Sequence, residues 1–213
     1  MLHTQTVSND TLELLKTLMR DERLQAFYLV GGTNLALRMG HRISIDIDLF
    51  ALTEFDSAAL ERYLISNYRF QTKLLLENTV QGFINDIKVD LLSYPYRLVD
   101  TPLVEDDIRM LGLMDIAAMK LIAVSDSGKR LKDFVDIAYL STQMSVRQML
   151  DAYTKKFDRA PLHALRGLAY YDDIDFSAVI QLVSPGRFSW DKIARRIAQM
   201  IKHEDNIFDT PPL

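Results

Sequence analysis

Cysteine is absent from this sequence of 213 residues, and histidine is scarce. Without cysteine the chain cannot form a disulfide, a thiolate zinc site or a cysteine nucleophile. With only four histidines, a metal cage built from imidazoles is disfavoured as well. The composition still permits a hard cation that is held by oxygen ligands.

An excess of positive charge is missing too. The 25 Lys and Arg residues are outnumbered by 29 Asp and Glu residues, which gives a formal net charge of −4. No global positive field attracts nucleic acid or an anionic membrane, so any contact with nucleic acid must be local. No apolar run approaches the ~18 residues that indicate a membrane span, and the N-terminus lacks the pattern of a signal peptide. We expect a cytoplasmic protein without a membrane partner.

Apolar residues make up 48% of the chain, which is enough for a core. Helical spacing from Leu12 to Met19 predicts an opening helix that covers a sheet. The apolar run 27–30 predicts a strand, which ends at Gly31-Gly32 and leads into a short helix. Three extended runs with two-residue turns between them predict an antiparallel meander over 70–76, 79–84 and 87–93.

From Gly112 the sequence has a helical pattern to its end. The predicted helices cover 114–124, 131–140, 146–156, 161–170 and 189–202. The chain has no internal repeat, low-complexity tract or evident linker. The sequence therefore predicts an α+β protein, with a mixed α/β part over residues 1–100 and a helical part over 101–213 that packs on it.

The strongest chemical signal is a pair of carboxylates in the segment 43–50, which alternates as a strand does. Its apolar face carries Ile43, Ile45, Ile47 and Leu49. Asp46 and Asp48 project from the other face, ~7 Å apart because each strand residue advances ~3.3 Å. Two like charges at this spacing require a metal or a basic partner. The alternative is the solvent face of an edge strand, where nothing needs neutralising.

Two further features favour the metal interpretation. Gly31-Gly32 follows a strand and opens a helix, where backbone N–H groups and the helix dipole can receive a phosphate. Tight turns also use glycine for conformational reasons alone, so this pair by itself is weak evidence. Asp90 supplies a third carboxylate, on the polar face of its predicted strand together with Lys88. These residues together indicate a phosphate-binding turn beside an aspartate cluster.

Six segments of the chain carry a family resemblance: 28–37 (YLVGGTNLAL), 40–50 (GHRISIDIDLF), 88–92 (KVDLL), 114–120 (MDIAAMK), 130–137 (RLKDFVDI) and 170–173 (YYDD). They resemble the AbiEii/AbiGii group of nucleotidyltransferases, known as toxins of bacterial toxin–antitoxin systems. The resemblance extends over nearly the whole chain. It implies a polymerase-β-like core, in which a mixed β-sheet with flanking helices is followed by a helical C-terminal part.

The resemblance also implies site residues. Asp46, Asp48 and Asp90 would hold Mg²⁺ or Mn²⁺, and Gly31, Gly32 and Thr33 would bind the nucleotide. Such cores usually pair glycine with serine at this turn, and here Gly32 takes the place of the serine. Only backbone donors are then left for the triphosphate at that position.

The helical part contributes a second group of candidates. Lys120 is the only basic residue between Met110 and Gly128, on a strongly apolar helix. It either extends to water or meets an anion, and the resemblance favours a catalytic lysine at this place. The resemblance also makes Lys132 and Asp136 catalytic candidates, with Asp133 as an alternative to Asp136. A solvated helix face with local ion pairs would produce the same pattern.

Several other residues have two open interpretations. Arg42 and Arg130 are candidates for contact with phosphates, although His41-Arg42 can equally balance the charge of the nearby carboxylates. Trp190 heads an amphipathic helix and is interpreted as a core residue. No chemical role follows for the segment 170–173, which would serve to anchor the two parts.

The predicted reaction transfers a nucleoside monophosphate from a nucleoside triphosphate to an acceptor hydroxyl, in a cleft between the two parts. The acceptor stays open among an RNA end such as that of a tRNA, a protein and a small molecule. A local basic patch would guide RNA, and it comprises Lys129, Arg130, Lys132 and Arg195-Arg196. An antitoxin regulator encoded nearby is the expected protein partner.

Two alternatives come from other functional classes. Nucleotide-sugar glycosyltransferases also use Asp-x-Asp with a divalent ion, but they need more strand–helix units than the region before Asp46 can hold. An inactive binding module on the same scaffold is the other alternative. The intact carboxylates and Lys120 argue against it.

Overall fold

The structure is a computed structural model of the chain, and it describes residues 1–183 and 187–213. The chain divides into two compact units. Unit 1 consists of Met1–Gly40, Ser44–Arg97 and Pro102–Leu111, and unit 2 consists of His41–Ile43, Leu98–Thr101 and Gly112–Leu213. The chain therefore enters unit 2 twice for short segments before it continues there from Gly112 onward.

Unit 1 contains a seven-stranded mixed sheet. The strands are β1 (Phe27–Leu29), β2 (Ile47–Ala51), β3 (Gln71–Leu76), β4 (Thr79–Ile84), β5 (Ile87–Ser93), β6 (Leu103–Glu105) and β7 (Ile108–Met110). Their order across the sheet is β3-β4-β5-β2-β1-β7-β6. The helices of this unit are α1 (Asn9–Arg20), α2 (Gly31–Met39) and α3 (Ser57–Tyr68).

The pairing of the strands places the polar face of β2 at the centre of the sheet. β2 pairs with β5 in parallel and with β1 in antiparallel orientation. Along β2 the residues Ile47, Leu49 and Ala51 are buried, as a strand with one face on a core requires. The opposite face of β2 is partly exposed and carries Asp48.

Helix α1 packs against the sheet, as its apolar spacing predicts. Ser8 caps it, because the Ser8 Oγ accepts the N–H of Thr11 at 3.0 Å. Leu15, Leu18 and Met19 are buried in the core with residues of the sheet. Each such burial stabilises the fold by about 1.5–3 kcal/mol.

Unit 2 is mainly helical in its described residues. Its helices are α4 (Leu113–Asp126), α5 (Leu131–Leu140), α6 (Val146–Phe157), α7 (Pro161–Ala169) and α8 (Trp190–Lys202). Helix α4 contacts α5, α6 and α7, which explains why its sequence is apolar almost all round. Ser145 and Gln148 form a capping box that begins α6.

The α+β fold and the antiparallel meander β3–β4–β5 are confirmed. The strand predicted over 43–50 is shorter than expected, because β2 begins at Ile47. Ile45 was expected on the apolar face, yet it is 60% exposed. Earlier in this segment, the Ile43 N–H donates to the carbonyl of Gln181, and Arg42 forms an isolated antiparallel bridge with Leu182. The Ser44 N–H donates to the carbonyl of Thr6, and the Thr33 hydroxyl donates to that of Asp46.

The hairpin β6–β7 has no counterpart in the sequence prediction. Its strands have three residues each, which is too short for a clear alternation. The division into parts 1–100 and 101–213 stays a prediction, and the compact units separate at other residues. Within the described residues, no helix combines the length and the apolarity that a membrane crossing needs.

Candidate active site

The turn that begins α2 is fixed by a close approach of Gly31 to Asp48. Gly31 has a φ of +68°, which residues with a β-carbon rarely adopt. A β-carbon at this position would also overlap the Asp48 carboxylate. Val30, the N-cap residue, makes no side-chain hydrogen bond to the helix. The first N–H groups of a helix lack intrahelical partners and are suited to an anion. The start of α2 places such N–H groups beside the Asp48 carboxylate.

Asp48 and Asp90 stand side by side on adjacent strands. The register of the parallel pair β2–β5 makes Asp90 the direct partner of Asp48. Paired residues on strands ~4.8 Å apart point to the same face of a sheet. Asp90 is buried, whereas Asp48 and Asp46, which precedes β2 by one residue, are partly exposed. Residues from two distant parts of the sequence thus form one acidic face.

Two donors hold Asp90, and both reach the same oxygen. Lys88 Nζ donates to Asp90 Oδ2 at 2.6 Å. Gln81, the cross-strand partner of Asp90 on β4, donates to Oδ2 from Nε2 at 3.0 Å. The other oxygen, Oδ1, is buried and has no hydrogen-bond partner within the described part of the chain. One carboxylate oxygen is therefore available for a further ligand.

The pKa of Lys88 is affected by all three aspartates. Burial by itself would lower the pKa of Lys88, but the hydrogen bond and charge of Asp90, with the charges of Asp48 and Asp46, raise it above its ordinary value. The three carboxylates therefore lie within electrostatic reach of one ammonium group. Sequence reasoning placed Lys88 and Asp90 on one face but assigned no role to the lysine.

The donor set fits a hard divalent cation, because it consists of carboxylates and includes the unpartnered oxygen of Asp90. It is not a preformed cage. Among residues 1–183 and 187–213, no three His, Cys, Asp or Glu side chains are grouped closely enough to hold a metal ion. The assignment of Asp46, Asp48 and Asp90 as metal ligands stays a prediction, and Lys88 now provides the positive charge at the cluster.

Thr33 has a structural task in addition to its position at the start of α2. Its side chain is buried, and its hydroxyl donates to the backbone carbonyl of Asp46 and lies 2.9 Å from the Ser44 Oγ. This hydroxyl therefore ties the segment before β2 to the helix. A contact between Thr33 and a nucleotide, which stays a prediction, would come from its backbone N–H.

A groove of about 870 Å³ opens beside Asp46 in unit 1. Its walls come from α1, from the end of α3 and from the hairpin β4–β5, and its lining includes Asp46, Lys88 and the exposed Ile45. Pockets of 300–1,000 Å³ are typical of small-molecule sites. Asp46 is the member of the aspartate cluster that lines this groove, whose volume suits a ligand of nucleotide size.

Unit 2 contains a buried ion cluster around Asp136 on α5. Arg42 donates to it from Nε at 2.7 Å and from Nη2 at 2.9 Å, and His41 Nε2 lies 2.9 Å from its Oδ1. Lys120 Nζ lies 2.8 Å from its Oδ2. Burial would raise the pKa of Asp136, but Arg42, Lys120 and the hydrogen bond from His41 hold it well below its usual range.

Lys120 is a buried member of this cluster. It also donates to Asp133 Oδ1 at 2.6 Å. Burial alone would lower the pKa of Lys120, and the charges of Asp133 and Asp136 raise it instead. The interpretation that Lys120 extends to water is therefore wrong. It meets two anions of its own unit, namely the two aspartates between which the sequence could not decide.

The other basic candidates differ in their surroundings. Arg42 is buried, and its guanidinium is used by Asp136 and by the carbonyl of Ile43. Arg130 is exposed, and with Lys132 and Lys129 it lines a groove of about 340 Å³ at the start of α5. The roles of Arg42, Arg130 and Lys132 in nucleotide binding or catalysis stay predictions, as do those of Lys120 and Asp136.

Two other sequence interpretations can be compared with the structure. Trp190 packs edge to face against Phe134, Tyr171 and Phe176, but it is only partly buried, so it lies at the margin of the core of unit 2. Arg196 was included in a basic patch for RNA. It is buried instead, and it donates to the Ser141 Oγ at 2.9 Å, so it does not belong to that patch.

Asp115 and Lys156 were missed by sequence reasoning. Their side chains are fully buried, and Lys156 Nζ donates to Asp115 Oδ1 at 2.7 Å. Asp115 also accepts the backbone N–H groups of Val99 and Asp100. A lysine at the end of one helix and an aspartate at the start of another give no signal of pairing until the fold is known.

The start of α2 thus lies against a face of a mixed sheet that carries Asp48 and Asp90. A family model described as "Nucleotidyl transferase AbiEii toxin, Type IV TA system" matches residues 13–205. The chain belongs to the AbiEii family and is a nucleotidyltransferase. This assignment confirms the resemblance and replaces the glycosyltransferase alternative.

Two individual proteins are also similar to the chain. Uncharacterized protein aq_aa25 of Aquifex aeolicus (strain VF5) is 30% identical over 154 residues, which cover 69% of this chain and 74% of the relative. The crystal structure of JHP933 from Helicobacter pylori is similar at a TM-score of 0.53 with 15% identity, and the match covers 92% of each chain. At this identity the likeness shows the fold alone.

Proposed function

We propose that this protein transfers a nucleoside monophosphate from a nucleoside triphosphate to an acceptor hydroxyl with the aid of Mg²⁺ or Mn²⁺. We further propose that it is the toxin of a toxin–antitoxin pair. The observation that carries the catalytic proposal is the approach of Gly31 to Asp48, with Asp90 paired beside Asp48 on the next strand.

The start of α2 would receive the phosphates of the nucleotide. Its first N–H groups lack intrahelical partners, and the helix dipole favours negative charge at this end. Gly31 brings these donors close to Asp48 because it has no β-carbon. Gly32 and Thr33 would add backbone donors, so that no side chain of this turn is required for binding.

Asp46, Asp48 and Asp90 would hold the divalent cation. When bound, such an ion neutralises the phosphates and stabilises the attacking and leaving oxygens. The acceptor oxygen forms a bond to the α-phosphorus while the bond to the pyrophosphate oxygen breaks. Asp90, whose Oδ1 has no hydrogen-bond partner in the described residues, would either complete the site of a second ion or accept the proton of the acceptor hydroxyl.

The groove beside Asp46 is the proposed place of the acceptor, because it adjoins the aspartate cluster. An RNA end such as that of a tRNA, a protein or a small molecule can each present the required hydroxyl. The antitoxin of the proposed pair would be a regulator encoded nearby.

The test uses the purified chain, Mg²⁺ and each of the four nucleoside triphosphates, labelled at the α-phosphate. Cellular RNA, cellular protein and a small-molecule fraction are offered as separate acceptors. We expect label in one of the three pools from at least one nucleotide, and none with Asp48→Asn. Label in none of them, with nucleotide still bound, would support the inactive binding module instead.

A calorimetric titration tests the role of the metal. Mg²⁺ should bind weakly alone and more tightly with a non-hydrolysable triphosphate, because the phosphates add oxygen ligands. The absence of this coupling would contradict the proposal. Induced expression should also arrest bacterial growth, and Asp48→Asn should grow normally if the toxic effect depends on the transfer.

A further inference from the structure

The aspartate cluster has a counter-ion of its own. Lys88 Nζ lies 2.6 Å from Asp90 Oδ2, and the Lys88 side chain is 36% exposed against 8% for Asp90. Its charge also interacts with Asp48 and Asp46. One ammonium group therefore offsets one of three negative charges, and it does so from a position that is partly exposed to solvent.

The two carboxylate oxygens of Asp90 differ in their hydrogen bonds. Lys88 and Gln81 both donate to Oδ2, while Oδ1 is without a partner among the described residues. The carboxylates are not grouped closely enough for a metal ion over residues 1–183 and 187–213. The hydrogen bond of Lys88 thus holds Asp90 in an arrangement that suits a monovalent counter-ion and not a shared divalent one.

We infer that Lys88 is an exchangeable counter-ion, which leaves Asp90 when a divalent cation binds to the aspartate cluster. The inference rests on the proposed function, because it concerns the same carboxylates. A divalent cation at Oδ1 and the ammonium group at Oδ2 repel each other, so binding of the cation weakens the hydrogen bond of Lys88 to Asp90. Gln81 is neutral and keeps its hydrogen bond to Asp90.

Release of Lys88 is easy for a physical reason. Its side chain is partly exposed, and a lysine can extend its ammonium group into water while its methylene chain stays packed. The groove beside Asp46 is lined by Lys88 as well, so the released ammonium group has a path into that space. There it would meet the negative charge of a bound triphosphate or acceptor.

The experiment compares Mg²⁺ binding without nucleotide in the wild type, Lys88→Met, Lys88→Arg and Lys73→Met. All four proteins are titrated in the calorimeter at the same pH. Lys88→Met should bind Mg²⁺ about tenfold more tightly, because the competing positive charge is gone. Lys88→Arg keeps the charge and should bind like the wild type. Lys73, exposed on β3, is the matched control and should have no effect.

Thermal unfolding in EDTA and in saturating Mg²⁺ gives a second readout. Without metal, Lys88→Met leaves the carboxylates without their counter-ion, so its melting temperature should fall below that of the wild type. Saturating Mg²⁺ should remove most of this difference. If Lys88 has only a structural role, the difference should be the same in both conditions.

The outcomes separate the inference from the proposed function. If the wild type binds Mg²⁺ and couples it to nucleotide, but Lys88→Met binds equally or more weakly, the inference is overturned and the proposed function stands. If the wild type shows no coupling of metal to nucleotide, the proposed function fails, and the inference fails with it.

Discussion

Asp48 and Asp90 occupy paired positions on the parallel strands β2 and β5. The apolar residues on either side of each aspartate, Ile47 with Leu49 and Val89 with Leu91, are buried in the core. A slip of one residue in either strand would turn these apolar side chains outward. Burial of the core therefore fixes the register that brings the two carboxylates together.

Asp48→Asn should abolish transfer of labelled nucleotide while it leaves thermal stability unchanged or slightly higher. The substitution removes one of three neighbouring negative charges and keeps the shape of the side chain. Glu77→Gln, in the exposed turn between β3 and β4, is the matched charge control and should keep full activity. A marked loss of stability with transfer intact would show that Asp48 has a folding role instead.

Gly31→Ala should impair nucleotide binding and stability together. Alanine at a φ of +68° costs about 1–2 kcal/mol, and its β-carbon would also displace the Asp48 carboxylate. Gly128→Ala is the control, because Gly128 has a φ of +59° without a carboxylate against it. Calorimetric nucleotide binding should fall in the first variant and not in the second. Equal binding in both would mean that the approach to Asp48 has no functional effect.

Lys120→Met should destabilise the protein by about 3–5 kcal/mol, because Asp133 and Asp136 would lose a buried counter-ion. If Lys120 served a triphosphate alone, Lys120→Met would leave stability unchanged, because methionine suits a helix. Urea unfolding of Lys120→Met and of Lys120→Met with Asp133→Asn measures the effect. The double variant should recover part of the loss. If Lys120→Met keeps its stability but loses nucleotide transfer, the result would show that Lys120 contacts the nucleotide directly.

His41 should make stability depend on pH below neutrality. Burial lowers the pKa of His41 below its usual value of 6.5, although Asp136 acts in the opposite direction. The unfolded chain therefore binds the proton more readily, and stability falls as the pH drops below about 6.5, by at most about 1.4 kcal/mol per pH unit. Unfolding free energies at pH 7.5, 6.5 and 5.5 should show a smaller decline in His41→Asn than in the wild type. His163→Asn, at an exposed position, is the control, and an identical decline in all three proteins would disprove the assignment.

The sequence predicted most helices and the meander well, because their apolar spacing and turn residues are strong local signals. The helix 131–140 has the predicted bounds. Asp46, Asp48 and Asp90 were recognised as a group because strand periodicity alone places them on polar faces. The Gly31-Gly32 turn was recognised from a local signal as well, because the glycine pair directly follows a short apolar run.

Long-range pairing of charged residues was not predictable. Nothing in the spacing of Lys120, Arg42 and Asp136 shows that two cations share one buried carboxylate. The sequence also suggested that a strand begins at Ile43, because alternation continues through Ile45. The structure begins β2 at Ile47, and Arg42 and Ile43 pair instead with the segment 181–182 of unit 2.

The two short early segments of unit 2, His41–Ile43 and Leu98–Thr101, have a consequence for synthesis on the ribosome. His41 and Arg42 form hydrogen bonds with Asp136, which is synthesised later. Val99 and Asp100 likewise donate to Asp115, which follows them in the sequence. At about 5–20 residues per second, the segment 41–43 stays without its partner for several seconds after it emerges. Unit 2 therefore cannot complete the contacts of its two early segments until α4 and α5 have been made.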